Sequence, residues 1–264
     1  MADGSQERKG LRFAVEVFFT IFLVTSVLFY HVQALTSFEM VQKVGLSVAH
    51  DVIDIQSMLE DGYPELITFA KLYPDENITL PGIGIDLGIK AKELASVPKD
   101  QIGDYLTKAV IKRIYYEGFS NAYDLSGVGK DISDIRGAID FVDTFVNKGF
   151  HDLALLIFYI SAALAAVLAI ALYRLSPGFK KLTGFGSSFL MAGITGIPLL
   201  VIRSQVEHVV RDSSVGLLMA SKTILPFLAD MWLCYLIILL LGLSLFLVGI
   251  SGIFITRGRA KIPG

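Results

Sequence analysis

The chain has 264 residues, of which 53% are hydrophobic and only 18% are charged, and its formal net charge is −2. This composition excludes an intrinsically disordered chain and leaves no basic surplus for binding nucleic acid. The only cysteine is Cys234, so no disulfide within the chain can stabilise the fold.

Four apolar segments follow one another along the chain, at residues 13–34, 151–173, 185–203 and 225–256. Each has about the 20 residues that a helix needs to cross a hydrocarbon layer of about 30 Å. The first is longer than the apolar core of a usual signal peptide, so we expect a retained anchor. The segments predict an all-α membrane protein with four transmembrane helices.

Basic residues near the four segments predict their orientation. The short stretches 1–12, 174–184 and 257–264 hold nine of them: Arg8, Lys9, Arg12, Arg174, Lys180, Lys181, Arg257, Arg259 and Lys261. Because short loops rich in Lys and Arg stay on the cytoplasmic side, we expect a multi-pass protein of the cell membrane with both termini in the cytoplasm. The stretches 35–150 and 204–224 would then be extracytoplasmic.

The stretch 35–150 is the one connection long enough to form a domain. Residues 36–150 contain 18 acidic and 11 basic residues, a net charge of −7, which agrees with an exterior position. Asn77 begins an Asn-Ile-Thr triplet that matches the N-glycosylation pattern, but such triplets are common by chance. The sequence does not decide whether Asn77 is modified.

Both ends of this stretch repeat apolar residues at alternating steps of three and four. The ascending series is Phe38, Val41, Gly45, Val48, Val52, Ile55 and Leu59, and the descending series is Ile132, Ile135, Ile139, Val142 and Val146. Such spacing places one apolar seam on each helix. We therefore predict an antiparallel coiled-coil stalk, and a helical, stalk-like ectodomain inserted between transmembrane helices 1 and 2.

Between the two stalk helices, prolines and glycines predict a divided tip. Residues 61–64 are expected to end the ascending helix and residues 73–82 to form a loop, since proline disfavours helix before it. A short helix is expected from Asp86 to Ser96, and a longer one from about Lys99 to Glu117. Apart from this loop, the insert is thus predicted to be helical.

Small residues recur on two of the membrane segments. The second segment has Ser161, Ala165 and Ala169, each four residues after the one before. The fourth segment has Gly242 and Gly249 two helical turns apart. Small faces let helix backbones approach closely in lipid. They indicate either packing inside the four-helix bundle or an interface with another subunit, and the first is favoured.

Two membrane segments contain a feature that disturbs an apolar helix. Pro198 leaves the carbonyl of Ile194 without its donor, so we expect a kink there, with Thr195 available to help satisfy the backbone. In the first segment Glu16 lies four residues after Arg12, where the two side chains can pair along the helix.

Several potential metal ligands lie at a similar depth near the outer ends of the segments. They are His31, His151, Asp152 and His208, with Glu207 and Asp230 as further acidic residues. Two or three imidazoles and a carboxylate could bind a transition metal or relay protons. Interfacial histidines also commonly bond to water, headgroups or helix ends. A metal site and a purely structural role both remain open, and the sequence favours the structural role.

No catalytic or cofactor motif is complete. Residues 82–88 place the third glycine one position too late for a dinucleotide loop, and residues 127–130 lack the Ser or Thr that follows the lysine of a phosphate loop. We therefore expect a protein that is not an enzyme and uses no cofactor.

These observations favour a non-enzymatic integral membrane scaffold or accessory subunit. It would bind other membrane protein subunits, or further copies of itself, through the exterior helical domain and the small-residue transmembrane faces. The first alternative is a channel or transporter. It would have to be an oligomer, because four spans are few for a solute pathway in one chain. The second alternative is a metal-binding subunit of a membrane enzyme.

Overall fold

The computed structural model describes residues 3–52, 55–80, 85–122, 140, 142–211 and 215–259. About 87% of these residues are helical. The chain divides into two compact units. Unit 1 comprises residues 1–32, 154–208 and 225–264, and unit 2 comprises residues 33–153 and 209–224.

Ten helices and two strands are named here within the described residues. In chain order they are α1 (Asp3–Leu35), α2 (Phe38–Val52), α3 (Ile55–Leu72), β1 (Asn77–Leu80), β2 (Ile85–Lys90), α4 (Ala91–Leu94), α5 (Ile102–Glu117), α6 (Phe119–Ala122), α7 (Lys148–Leu175), α8 (Lys180–Ile194), α9 (Ile197–Arg211) and α10 (Val215–Arg259). A 3-10 turn at Lys99–Gln101 precedes α5.

Four helical stretches are long and apolar enough to cross a membrane. They are Gln6–Leu35, Lys148–Leu175, Lys180–Gln205 and Leu225–Thr256. Each overlaps one of the four predicted segments, so the prediction of four apolar spans is confirmed. Their length and composition are those of a multi-pass helical membrane protein.

The third and fourth spans pack closely through glycines of both helices. A Cβ built on Gly193 of α8 would lie 2.6 Å from Leu239 Cα, and one on Gly249 of α10 would lie 2.7 Å from Thr183 N. Gly242 likewise approaches α8 too closely for a side chain. The two glycines of the fourth span therefore serve packing inside unit 1, because only glycine lets these backbones come so near.

Small residues of the second span also face the interior of unit 1. Ser161 and Ala165 are buried, and Ala165 belongs to a core cluster with Phe19 of α1 and Leu172 of α7. The hydroxyl of Ser161 donates to the Ile157 carbonyl oxygen at 2.7 Å, so its polarity is satisfied within its own helix. These small residues of the second span therefore also serve packing inside unit 1.

The third span is interrupted between α8 and α9, at the place where Pro198 predicts a kink. The Thr195 hydroxyl donates to the Ala192 carbonyl oxygen at 2.6 Å. The N–H of Gly196 donates to the Gly193 carbonyl oxygen at 3.1 Å, a tighter turn than an α-helix has. Thr195 thus helps to satisfy the backbone at the break, on the Ala192 carbonyl and not on the Ile194 carbonyl that Pro198 leaves without its donor.

Unit 2 has a hydrophobic core of its own. Its buried members come from α3, both strands, α4 and α5, and they are Ala70, Ile78, Ile89, Ala91, Leu94, Ile102 and Leu106. Burying one large aliphatic side chain contributes about 1.5–3 kcal/mol. This core joins the elements of unit 2 without a disulfide.

A two-stranded antiparallel sheet lies within unit 2, which corrects the prediction of a helical insert. Strand β1 also occupies Asn77–Leu80, inside the loop expected at residues 73–82. Strands β1 and β2 pair with Thr79 opposite Asp86. The helix expected from Asp86 to Ser96 is wrong over its first part, because Ile85–Lys90 is a strand and α4 covers only Ala91–Leu94.

Apolar residues at every second position explain why β2 is a strand. Ile85, Leu87 and Ile89 alternate with polar or small residues, and Ile89 is buried in the core of unit 2. Gly88 has a φ of 64°, a conformation that glycine adopts readily and that does not continue a helix. The helical turn of α4 begins only after this strand.

Helix α3 continues through Pro64, so the expected end of the ascending helix at residues 61–64 is wrong. The helix runs from Ile55 to Leu72. Beyond the proline, Leu66 and Phe69 pack against the core of unit 2, which favours continued helix. Packing here outweighs the local preference of proline.

Helix α2 covers Phe38–Val52 of the predicted ascending stalk helix, and its neighbour in unit 2 is α5. A Cβ built on Gly45 of α2 would lie 2.7 Å from Ile111 Cδ1 of α5. Of the predicted stalk partner, Ile132, Ile135 and Ile139 lie outside the described residues, and only Val142 and Val146 are described. The antiparallel coiled-coil stalk therefore stays a prediction.

Candidate functional site

His31, the first metal-ligand candidate, lies in the interior of unit 1. It is only 5% exposed, and its ring contacts those of Tyr30 and Tyr235 at centroid distances of 5.2 and 5.4 Å. Its Nε2 is buried without a hydrogen-bond partner in the described part of the chain. Leaving a buried polar atom unpaired costs about 1–3 kcal/mol. This nitrogen is therefore a candidate contact for a ligand.

Tyr235 contacts both His31 and Gly196, which lies at the break in the third span. Tyr235 is buried, and a Cβ on Gly196 would collide with its ring, so glycine at the break allows the close approach. Tyr30 also contacts Phe158 of α7, with ring centroids 5.8 Å apart. Through Tyr30 and Tyr235, the imidazole is linked to residues of all four spans.

His151, the second candidate, belongs to unit 2 and is held by the backbone. Its Nδ1 lies 3.0 Å from the Gln33 carbonyl oxygen and 3.4 Å from Thr36 Oγ1. Because the carbonyl can only accept, Nδ1 carries the proton in this arrangement. In the neutral ring with this hydrogen bond, Nε2 carries the lone pair, as in metal-binding histidines that donate through Nδ1.

Tyr115 lies beside the same stretch of backbone. Its hydroxyl donates to the Thr36 carbonyl oxygen at 3.0 Å. Burial, together with the nearby Tyr116 and Asp152, raises the pKa of Tyr115 to about 12. The phenol therefore stays protonated, and can donate, throughout the physiological pH range.

The other metal-ligand candidates do not complete a site in the described chain. Asp152 pairs with Lys148, one turn earlier on α7, and is half exposed. His208 lies on α9, but its side chain falls outside the described residues, whereas Asp230 is exposed on α10. Among described side chains, no three His, Cys, Asp or Glu groups are placed to hold a metal ion. The metal site at His31, His151, Asp152 and His208 stays a prediction.

Glu16 makes the expected contact with Arg12 and a further contact with the third span. Arg12 Nη2 lies 3.8 Å from Glu16 Oε2. Ser187 of α8 donates its hydroxyl proton to Glu16 Oε1 at 2.7 Å. One turn further, Thr20 Oγ1 and Ser188 Oγ are 2.8 Å apart. These bonds join the first and third spans, where lipid offers polar groups no other partner.

Sequence reasoning missed the roles of Ser187, Ser188, Tyr115 and Tyr235. The adjacent hydroxyls in the third span were the available signal, because polar residues in apolar helices usually face a partner. Their pairing with Glu16 and Thr20 depends on which spans are neighbours, which a linear pattern does not contain.

The four apolar helices, with polar contacts between them, define a multi-pass helical membrane protein. No protein-family model, no curated protein and no solved structure matches the chain. Its function must therefore be inferred from its own residues.

Proposed function

We propose that the chain is a non-enzymatic membrane scaffold or accessory subunit that binds a partner protein through unit 2. The observation that supports this most is the separate hydrophobic core of unit 2. A module with its own core between two spans is not needed to cross the membrane. The partner is another membrane protein subunit or a second copy of the chain. The small-residue faces contribute less, because their residues pack inside unit 1.

In this proposal both termini lie in the cytoplasm and unit 2 lies outside. Cysteines placed singly at Ser5 and Ser96, in a Cys234→Ser background, test the orientation. Ser96 is exposed, so its variant should react with an impermeant maleimide on intact cells. The Ser5 variant should react only after the cells are permeabilised, since basic flanks hold that end inside. Labelling of the Ser5 variant alone on intact cells would reverse the orientation.

Two exposed apolar residues at the end of α3 form the proposed contact, here called the α3 end patch. Leu72 is 67% exposed and Tyr73 is 49% exposed. The ring of Tyr73 lies 5.3 Å from that of Phe69, which packs on the core of unit 2. Aromatic and large apolar side chains on a fixed support are typical anchors of protein interfaces.

A photoreactive amino acid at Leu72 of the full chain, irradiated in native membranes, should yield a discrete product of higher mass. Mass spectrometry of that product distinguishes a second copy from another subunit. The matched control is the same probe at Lys108, an exposed position on α5 of the same unit. A protein adduct at Leu72 and none at Lys108 is the expected result. Lipid adducts only, or no product, at Leu72 would contradict partner binding by this patch.

A second candidate, an oligomeric channel or transporter, is favoured by the interrupted third span. The break at Thr195 and Gly196 belongs to the same unit as the buried, unpaired His31 nitrogen. Transporters often place binding sites at interrupted helices. A pathway would need several copies around a pore, so a purified chain that is monomeric would count against this candidate.

A further inference from the structure

Aromatic side chains collect in the part of unit 2 that contains the ends of two membrane spans. The first span ends at Leu35 and the second begins at Lys148, and both residues belong to unit 2. Five aromatic residues lie near these ends in sequence or in space. They are Phe38, Tyr115, Tyr116, Phe145 and Phe150, here called the aromatic collar.

The end of α5 joins the collar although it is distant in sequence. Tyr115 donates to the Thr36 carbonyl oxygen, one residue beyond the first span and 79 residues earlier in the chain. The rings of Tyr115 and Tyr116 lie 5.3 and 5.7 Å from the ring of Phe38. These contacts fix the C-terminal end of α5 beside the end of the span.

The approach to the second span completes the collar. The Asp143 carboxylate accepts hydrogen bonds from the N–H groups of Phe119 and Ser120 and from the Ser120 hydroxyl. Partial burial acts to raise the pKa of Asp143, but these three bonds outweigh it and hold the pKa below its usual value. The charged Asp143 carboxylate therefore holds the segment that precedes the second span against α6. Beyond it, the rings of Phe145 and Phe150 meet edge to face at 5.3 Å.

Two members of the collar are left open by the packing of unit 2. Tyr116 is 51% exposed and Phe145 is 43% exposed. Leu35 and Leu153, which belong to the spans themselves, are exposed to a similar degree. Exposed Tyr side chains at the end of a span are typical of the headgroup layer, where the ring is in apolar surroundings and the hydroxyl is in contact with water. Phe145 adds an apolar ring without a polar end.

We propose that the aromatic collar inserts into the interfacial layer of the bilayer, which makes the C-terminal end of α5 a lipid-contacting surface. The occupant is the glycerol and headgroup layer of the membrane that the spans cross, because the collar is continuous with two span ends. Lys112, exposed one turn before Tyr116, can extend toward lipid phosphate. The surface uses other residues than the α3 end patch, so it goes beyond the proposed function.

Tryptophan fluorescence of the full chain in lipid nanodiscs tests this surface. The one native tryptophan is removed as Trp232→Phe, and Tyr116→Trp and Phe145→Trp are made separately. The control is Tyr73→Trp, because Tyr73 and Tyr116 are almost equally exposed, at 49% and 51%. Circular dichroism and elution volume establish that each variant is folded.

Lipids brominated near the top of the acyl chain should remove about half of the emission of Tyr116→Trp, as expected for a ring at the interface. Phe145→Trp should respond in the same way, and aqueous iodide should quench both weakly. Tyr73→Trp, reconstituted at one chain per nanodisc so that the α3 end patch has no second copy to bind, should show the opposite pattern. If both collar variants are quenched by iodide as strongly as Tyr73→Trp and not by brominated lipid, the collar does not contact lipid.

Discussion

Gly193→Val should separate α8 from α10 and lower the free energy of unfolding by about 3 kcal/mol, near the top of the usual range for overpacking. A Cβ at this position would lie 2.6 Å from both Cα and Cβ of Leu239. A backbone atom cannot rotate away as a long side chain can, so the helices themselves must move. Denaturant unfolding of the purified protein, followed by Trp232 emission from α10, measures the loss.

The matched control is Gly10→Val in α1, where a built Cβ meets nothing within 4 Å. Its unfolding free energy should change by no more than about 0.5 kcal/mol. Valine has a slightly higher helix propensity than glycine, so the loss at Gly193 could not come from propensity. Equal unfolding midpoints for the two variants would mean that α8 and α10 are not in close contact.

Local properties of the chain were sufficient to predict the spans and their break. Length and apolarity are read along one helix, and they located all four spans. Pro198 acts through its own missing N–H, so the interruption beside Thr195 could be expected.

Packing decided the elements that were predicted wrongly. Residues 85–90 form a strand because β1 pairs with them and Ile89 enters the core. Helix α3 continues past Pro64 because the residues that follow pack on that same core. The positions of proline and glycine indicate local turns and helix ends, but they carry no information about such tertiary contacts.

In the candidate sites too, contacts within one helix could be predicted, whereas contacts between distant segments could not. The contact of Glu16 with Arg12 spans one helical turn and was predicted, whereas the bond from Ser187 to Glu16 crosses 171 residues. The position of His151 at the start of the second span was predicted, but its bond to Gln33 crosses 118 residues. Partners at such separations depend on the order in which helices pack.

Leu94→Asp should unfold unit 2. Leu94 is 0% exposed, inside the core formed by α3, both strands, α4 and α5. The substitution removes a buried aliphatic side chain and leaves a carboxylate without a partner, at a combined cost of roughly 4 kcal/mol or more. Limited proteolysis in membranes should then cut much faster between residues 33 and 153 than in the parent chain.

Leu72→Asp applies the same chemical change to a side chain that is 67% exposed in the same unit. Its resistance to protease should match that of the parent, because the carboxylate stays in water. With a photoreactive probe at Tyr73, however, this variant should lose the product formed with the partner, since a charge now lies in the α3 end patch. If Leu94→Asp resists protease like the parent, the core of unit 2 does not hold it together and the proposed module loses its main support. If Leu72→Asp keeps the product, the partner still lies beside Tyr73, and Leu72 does not anchor it.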